Sequence, residues 1–239
     1  MLRDPTHVLE VRADFACWSR PELKVERWSY PCPTPSAARG VFDAIYFKPQ
    51  FHWQVERVEM VALPSYIALR RNEVSATAPS DTTISSWIRG TRDPKPLEAD
   101  SPKCRQQRQT MALRNPRVRL HARIVPRPGF EDQQTAYDEQ FHRRAAAGKC
   151  AWQPYCGCRE FVAFFRLIED LPVEPPPADF TQDLGWMLYD VFDLGRTNKP
   201  GAAKPFISVF RAEIRNGVLE IPPYDSDLVR KPGEERRTG

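Results

Sequence analysis

The chain of 239 residues contains no apolar run long enough to cross a bilayer. Its N-terminus also lacks the charged n-region and apolar h-region of a secretion signal. A cytoplasmic protein with no membrane contact is expected, its six cysteines held as reduced thiols. Cys150, Cys156 and Cys158 cluster, but no second C-x-x-C or Cys/His pair stands at zinc spacing. Buried or incidental thiols are therefore expected there. P-loop, G-x-G-x-x-G, H-E-x-x-H and G-x-S-x-G patterns are all missing. The carboxylates are scattered rather than grouped for two metals, which disfavours metal-dependent hydrolysis. No metal or other cofactor is expected. Charge of one sign is lacking too: 35 Lys+Arg stand against 31 Asp+Glu, a net charge of +4. That balance alone does not point to nucleic acid.

What is present says more. The 24 prolines argue for short strands and ordered loops over a helical bundle. Arginine greatly outnumbers lysine, and arginine is the better bidentate phosphate ligand and base stacker. A hydrophobic fraction of 41% with 28% charged residues fits a soluble globular protein of one large domain or two small ones.

Residues 7–16 alternate apolar and polar and read as a first strand, followed by a polar connection over 17–34. Pro35 and Ser36 supply a helix start, and Ala38, Val41, Phe42 and Ile45 make one apolar face. Pro49 ends this helix and leaves Arg39, Tyr46 and Lys48 on or near the edge of that face. Those three residues are either solvated or part of a phosphate- and base-contacting site. A strand follows over 52–63, with strand character again at Ile67–Leu69. Residues 70–116 form a polar excursion, expected as a functional or disordered loop that ends in a strand at Thr110–Leu113. Val118–Val125 alternates strictly, with Arg117, Arg119, His121 and Arg123 on a face expected to be solvated or covered by RNA. A second helix is expected at Thr135–Ala147, closed by Gly148, and a strand at Arg159–Ile168.

Strand–helix–strand, an excursion, then strand–helix–strand is the order of the split β-α-β, ferredoxin-like plan. Beyond the Pro172–Pro177 linker, strands are expected at Trp186–Phe192, Phe206–Ile214 and Val218–Ile221. Asn216-Gly217 between the last two is a hairpin signal. The expected organisation is an α+β, ferredoxin-like (RRM-like) domain over 1–170 with a long Arg/Gln-rich insertion at about 70–116, a small antiparallel β-sheet domain over 178–224, and a charged tail over 225–239.

Metal-free RNA cleavage needs a base for the 2′-hydroxyl, an acid for the leaving oxygen and a cation for the phosphorane charge. Arg39, Tyr46, Lys48, Tyr137 and His142 are the candidate groups. A tyrosine, with an ordinary pKa of about 10, is better suited to orient or hydrogen-bond than to act as base. His142 reads equally as an ordinary helix histidine.

Seven segments then occur in order: Arg20–Tyr30, Pro35-Ser-Ala-Ala-Arg-Gly40, Ala44-Ile-Tyr-Phe-Lys-Pro49, Arg70-Arg-Asn-Glu-Val74, Arg105-Gln-Gln-Arg108, Gly157-Cys-Arg-Glu-Phe161 and Asp183-Leu-Gly-Trp-Met-Leu188. Together, over roughly residues 7–225, the chain resembles the CRISPR-associated Cas-five family in its type I-C branch. The resemblance implies a RAMP-type protein that binds the 5′ handle of CRISPR RNA and cuts the precursor without metal, leaving a 2′,3′-cyclic phosphate. Its implied neighbours are a Cas-seven-type backbone subunit, a Cas-eight-type large subunit and, indirectly, target DNA.

The family's Tyr–Lys–His site places its tyrosine on Tyr46. Counting back from Arg143-Arg144 and Gly148 places its Lys-His pair on Ala136 and Tyr137, with His142 five residues further on. The expected phosphate ligands are Arg20, Lys24, Arg27, Arg39, Lys48, Arg70, Arg71, Arg105 and Arg108. Asn72, Gln106 and Gln107 are expected to hydrogen-bond bases. The alternative expectation is a handle-binding subunit without nuclease activity.

Overall fold

The computed structural model describes residues 5–23, 25–95, 98, 101, 102, 104–195 and 205–233. Within these, a mixed α/β fold is built mainly from antiparallel strands. The strands are β1 (His7–Arg12), β2 (Phe15–Ala16), β3 (Arg27–Trp28), β4 (Phe51–Met60), β5 (Tyr66–Val74), β6 (Arg105–Arg114), β7 (Arg117–Pro126), β8 (Phe164–Ile168), β9 (Gln182–Asp190), β10 (Ser208–Arg215), β11 (Val218–Glu220) and β12 (Val229–Arg230). The helices are α1 (Pro35–Ile45), α2 (Asp81–Ile88) and α3 (Gln134–Ala146).

The larger sheet runs β12-β10-β11-β4-β7-β1-β8, with β9 paired to β10. β1 lies between β7 and β8, and β4 lies outside β7, all antiparallel. α1 and α3 pack on one face. Phe42 of α1 and Phe141 of α3 close over Trp53 of β4, with ring centroids 4.8 and 4.6 Å away. All three are fully buried, and burial of a phenylalanine alone contributes about 1.5–3 kcal/mol. The periodicity of α1 is realised: Ala38, Val41, Phe42 and Ile45 are buried. Its cap is Thr34 rather than Ser36, the Thr34 hydroxyl accepting from the Ala37 N–H at 3.2 Å.

The C-terminal strands join the same sheet through β11, which pairs with β4. Asn216 and Gly217 make the β10–β11 turn with φ of +49° and +76°, as a type I′ turn requires. Gly217 is required for a second reason. A Cβ there would sit 2.2 Å from the carbonyl oxygen of Ala178, in the linker that passes beside it.

Three sequence expectations change. The first strand stops at Arg12, and Phe15–Ala16 cross to the second sheet, ordered β2-β6-β3 with β5 on β6. The strand expected at Arg159–Ile168 is regular only from Phe164. The excursion at 70–116 is not a loop. β5 and β6 pair over nine positions, from Tyr66 with Leu113 to Val74 with Arg105, and α2 is carried beyond them. One face of β5 is exposed and the other half-buried, but beyond Leu69 that half-buried face carries Arg71, Glu73 and Arg108 rather than apolar side chains, so the ribbon lacks the apolar alternation that marks a strand in sequence. Of the charged tail over 225–239, residues 225–233 are described, and there β12 pairs Val229 and Arg230 with β10.

Candidate functional site

α1 ends where Tyr46 turns to extended backbone. The Tyr46 N–H still donates to Phe42 O at 2.9 Å, while its carbonyl accepts from Trp53 Nε1 at 3.0 Å. Both bonds fix the ring beside Phe51, the first residue of β4, at 5.4 Å. Tyr137 of α3 reaches the other side of Phe51, at 5.1 Å. The Lys48 ammonium is 5.8 Å from the Tyr46 ring centroid and 5.4 Å from that of Tyr137, within the range of a cation–π contact. The fold therefore brings Tyr137, distant in sequence, to the junction that holds Tyr46 and Lys48.

Their polar atoms differ in availability. Tyr137 is 2% exposed and donates its hydroxyl to Gln133 Oε1 at 2.6 Å. Sequence reasoning missed Gln133, one helical turn earlier. The Tyr46 hydroxyl has no hydrogen-bond partner among the described residues and is not sealed from solvent. Ala136 is exposed. His142 is not part of the group: it is half exposed, 3.4 Å from Glu169 past the end of β8. Five residues along a helix is about 140° of rotation, which turns His142 away from Tyr137.

Arg39 is also elsewhere. Its Nε and Nη2 bind the two carboxylate oxygens of Asp190 at 2.7 and 3.1 Å, and Nη1 meets Asp43. This cross-link ties α1 to β9. Burial raises the Asp43 pKa to about 6 despite the Arg39 charge.

The ribbon sorts the remaining arginines by face. Arg71, Glu73 and Arg108 share one side of the β5–β6 pair. Glu73 lies 3.4 Å from Arg71, 3.3 Å from Arg108 and 3.9 Å from Arg27, and Glu160 also meets Arg71. Arg27 further donates to Cys158 Sγ at 3.2 Å. Hydrogen bonding from Cys17, with the Arg27 charge, brings the Cys158 thiol down to about 6 against its burial. Gln106 accepts from Arg108. The opposite side carries Arg70, Asn72, Arg105 and Gln107, all exposed. Arg20 packs over the Tyr30 ring at 4.6 Å. Lys24 lies outside the described residues.

The middle of the arginine stripe of β7 is buried, while Arg117 and Arg123 at its two ends stay partly exposed. Arg119 and His121 are each 2% exposed. Glu59 on β4 meets Arg119 Nε at 2.7 Å and His121 Nε2 at 3.0 Å, and Arg57 is at 3.4 Å. Glu10 takes Arg117 and Arg166. The linker that follows β8 puts Glu174 on Arg166 at 2.7 Å and brings the Ala178 N–H to Met60 O, so it crosses this face. Burial raises the Glu59 pKa, but the His121 hydrogen bond and the charges of His121, Arg119 and Arg57 prevail and hold it below the ordinary value.

His52 points away from Phe51 on the adjacent position of β4. Burial, reinforced by the charges of Arg127, Arg39 and Arg123, lowers its pKa to about 4. A histidine depressed when folded stabilises the protein above its unfolded pKa of about 6.5, and that contribution is lost as pH falls toward the folded value. The stability difference between the parent and His52→Gln should therefore shift by up to about 3 kcal/mol between pH 6.5 and 4. Urea melts across that range check it, and parallel curves would contradict it.

The chain matches, over residues 6–222, the Cas5d model of the family described as "CRISPR-associated protein (Cas_Cas5)". It belongs to the Cas5d family. A relative from Mannheimia succiniciproducens, named CRISPR pre-crRNA endoribonuclease Cas5d, is 36% identical over 231 residues, 93% of this chain and 97% of that one. A Thermus thermophilus protein of the same name is 38% identical over 227 residues, 90% of each chain. The fold is also that of a functionally uncharacterized Streptococcus mutans protein, SMU1763c, with TM-score 0.63 and 17% identity over 96% of this chain and 99% of the other. A structure titled CRISPR-associated protein aligns with TM-score 0.63 and 18% identity, over 96% and 98%. Among the described residues of this Cas5d-family chain, no helix is long and apolar enough to cross a membrane.

Proposed function

We propose that this chain binds the 5′ handle of CRISPR RNA and cleaves the precursor within its repeat; two Cas5d relatives carry the name CRISPR pre-crRNA endoribonuclease, which supports the cleavage part of that reading. The observation that carries the reading is the Lys48 ammonium set beside the rings of Tyr46 and Tyr137, next to a Tyr46 hydroxyl with no hydrogen-bond partner among the described residues. In the reaction the 2′-hydroxyl gives its proton to water as its oxygen attacks the adjacent phosphorus, the bond to the 5′-oxygen breaks, and that oxygen takes up a proton from water. The upstream RNA keeps a 2′,3′-cyclic phosphate and the downstream RNA a 5′-hydroxyl. Lys48 neutralises charge growing on the non-bridging oxygens, and Tyr46 donates a hydrogen bond to the same phosphate. Tyr137 positions Lys48 from beneath; its own hydroxyl is given to Gln133.

The β4-β7-β1-β8 order with α1 and α3 on one face supports reading residues 1–170 as the ferredoxin-like RAMP domain, with 178–224 as its β-sheet extension. A cytoplasmic complex with Cas-seven-type and Cas-eight-type subunits, meeting target DNA through the RNA, completes the proposal. A second reading is favoured by Ala136 and the buried Tyr137, which stand where the family has Lys and His. Under it the chain binds the handle and does not cut.

Binding is tested on the ribbon. Of the expected phosphate ligands on the ribbon, Arg70 and Arg105 have no carboxylate partner among the described residues. Each contact to a single-strand phosphate adds about 0.7 to the slope of log K against log salt. Arg70→Ala/Arg105→Ala should weaken repeat-RNA binding and flatten that slope by about 1.4. An unchanged slope, measured by filter binding, would remove the ribbon face from the RNA path.

A further inference from the structure

Two large aromatic side chains stand exposed around the C-terminal end of α1, which leads into Lys48: Phe47 at 55% and Trp152 at 48%. Both are anchored to the last turn of α1, so neither is a loose loop residue. Phe47 directly follows the cap residue Tyr46. The N–H groups of Ala151 and Trp152 both donate to the carbonyl of Ala44, at 2.7 and 3.4 Å. Arg144 Nε takes the next carbonyl, Ile45, at 2.6 Å. The C-terminal carbonyls of α1 are thus capped by the segment that presents Trp152 and by an arginine from α3. Lys48 and Lys149 add exposed positive charge in the flanking residues.

Large apolar rings held exposed at one helix end, with cations in the adjoining residues, are a costly arrangement for a surface with no ligand. Cations that track a phosphate chain, together with aromatic faces for its bases, are the combination that holds single-stranded nucleic acid. We propose that Phe47 and Trp152 form a stacking platform for unpaired nucleobases flanking the phosphate held by Lys48. The ligand class is single-stranded RNA. The platform would set which stretch of the repeat enters the site, because a base in a duplex cannot lie on these rings. This inference rests on the RNA reading above and extends it to a subsite.

The test uses the full chain and a labelled repeat RNA, with binding measured across a salt series. Phe47→Ala and Trp152→Ala should each weaken binding by about 5- to 100-fold, with the salt slope unchanged. Phe47→Tyr and Trp152→Phe should restore affinity, and melting curves check that each variant is folded. An abasic nucleotide scanned through the unpaired part of the repeat should reproduce the loss at one or two positions in the parent, and add nothing in Phe47→Ala. Parent-like affinity in both alanine variants would overturn the platform while leaving the RNA reading standing. A parent chain that fails to bind the repeat at all would overturn both.

Discussion

Glu59→Ala should lower the unfolding free energy by about 3–5 kcal/mol, the cost of breaking a buried pair by removing one partner. Glu59 is 5% exposed and is the carboxylate that faces both Arg119 and His121. Without it, an arginine at 2% exposure keeps its charge with no counter-ion at that position. Solvent does not screen this charge, because Glu59, Arg119 and His121 are all buried. Glu59→Gln retains a hydrogen-bonding oxygen and should cost less than Glu59→Ala. The carboxylate also sets an acid limit. Its folded pKa lies below the unfolded value, so its stabilisation is present above the unfolded value and is lost as pH falls through the folded one. Urea melts of the parent and both variants at neutral pH, repeated at about pH 4, measure the effect. A Glu59→Ala loss below about 1 kcal/mol would mean that the face is wetter than the structure shows.

Lys48→Ala should slow cleavage of repeat RNA by at least about 100-fold, the scale seen when one preorganised donor to a developing charge is removed. Tyr46→Phe, which deletes only a hydroxyl that no described residue uses, should slow the same step with little change in fold stability. Single-turnover rates with saturating protein separate this from weakened binding, since a group acting on the transition state lowers the rate constant even when all RNA is bound. His142→Ala should leave the rate unchanged, because His142 sits by Glu169 and away from the cluster. Equal single-turnover rates for the parent and Lys48→Ala would remove Lys48 from the chemistry.

The parts of the molecule that were legible in sequence were those with local rules. The helix at Pro35–Ile45, the Asn216-Gly217 hairpin and the alternating β4 and β7 strands follow from periodicity and turn chemistry. The ribbon was not legible beyond Leu69, because its half-buried face is filled by paired charges, Arg71, Glu73 and Arg108, and so carries no apolar period. The arginines show the same limit at the level of charge. A basic residue reads alike whether it meets a phosphate or a carboxylate, and the carboxylate is set by the fold. Arg39 finds Asp190, 151 residues away, and Arg71 finds Glu160. Arg119 finds Glu59 across a strand pair. Tyr46, Lys48 and Tyr137 converge, but the sequence did not reveal that Tyr137 would be buried with its hydroxyl already bound.

The most direct measurement is incubation of the purified full chain with end-labelled repeat RNA in EDTA, with the products mapped at both new ends. One cut within the repeat is expected, leaving a 2′,3′-cyclic phosphate upstream and a 5′-hydroxyl downstream, and it should be lost in Lys48→Ala. Tight binding of intact RNA with no cut would contradict the cleavage assignment and leave a handle-binding subunit in its place.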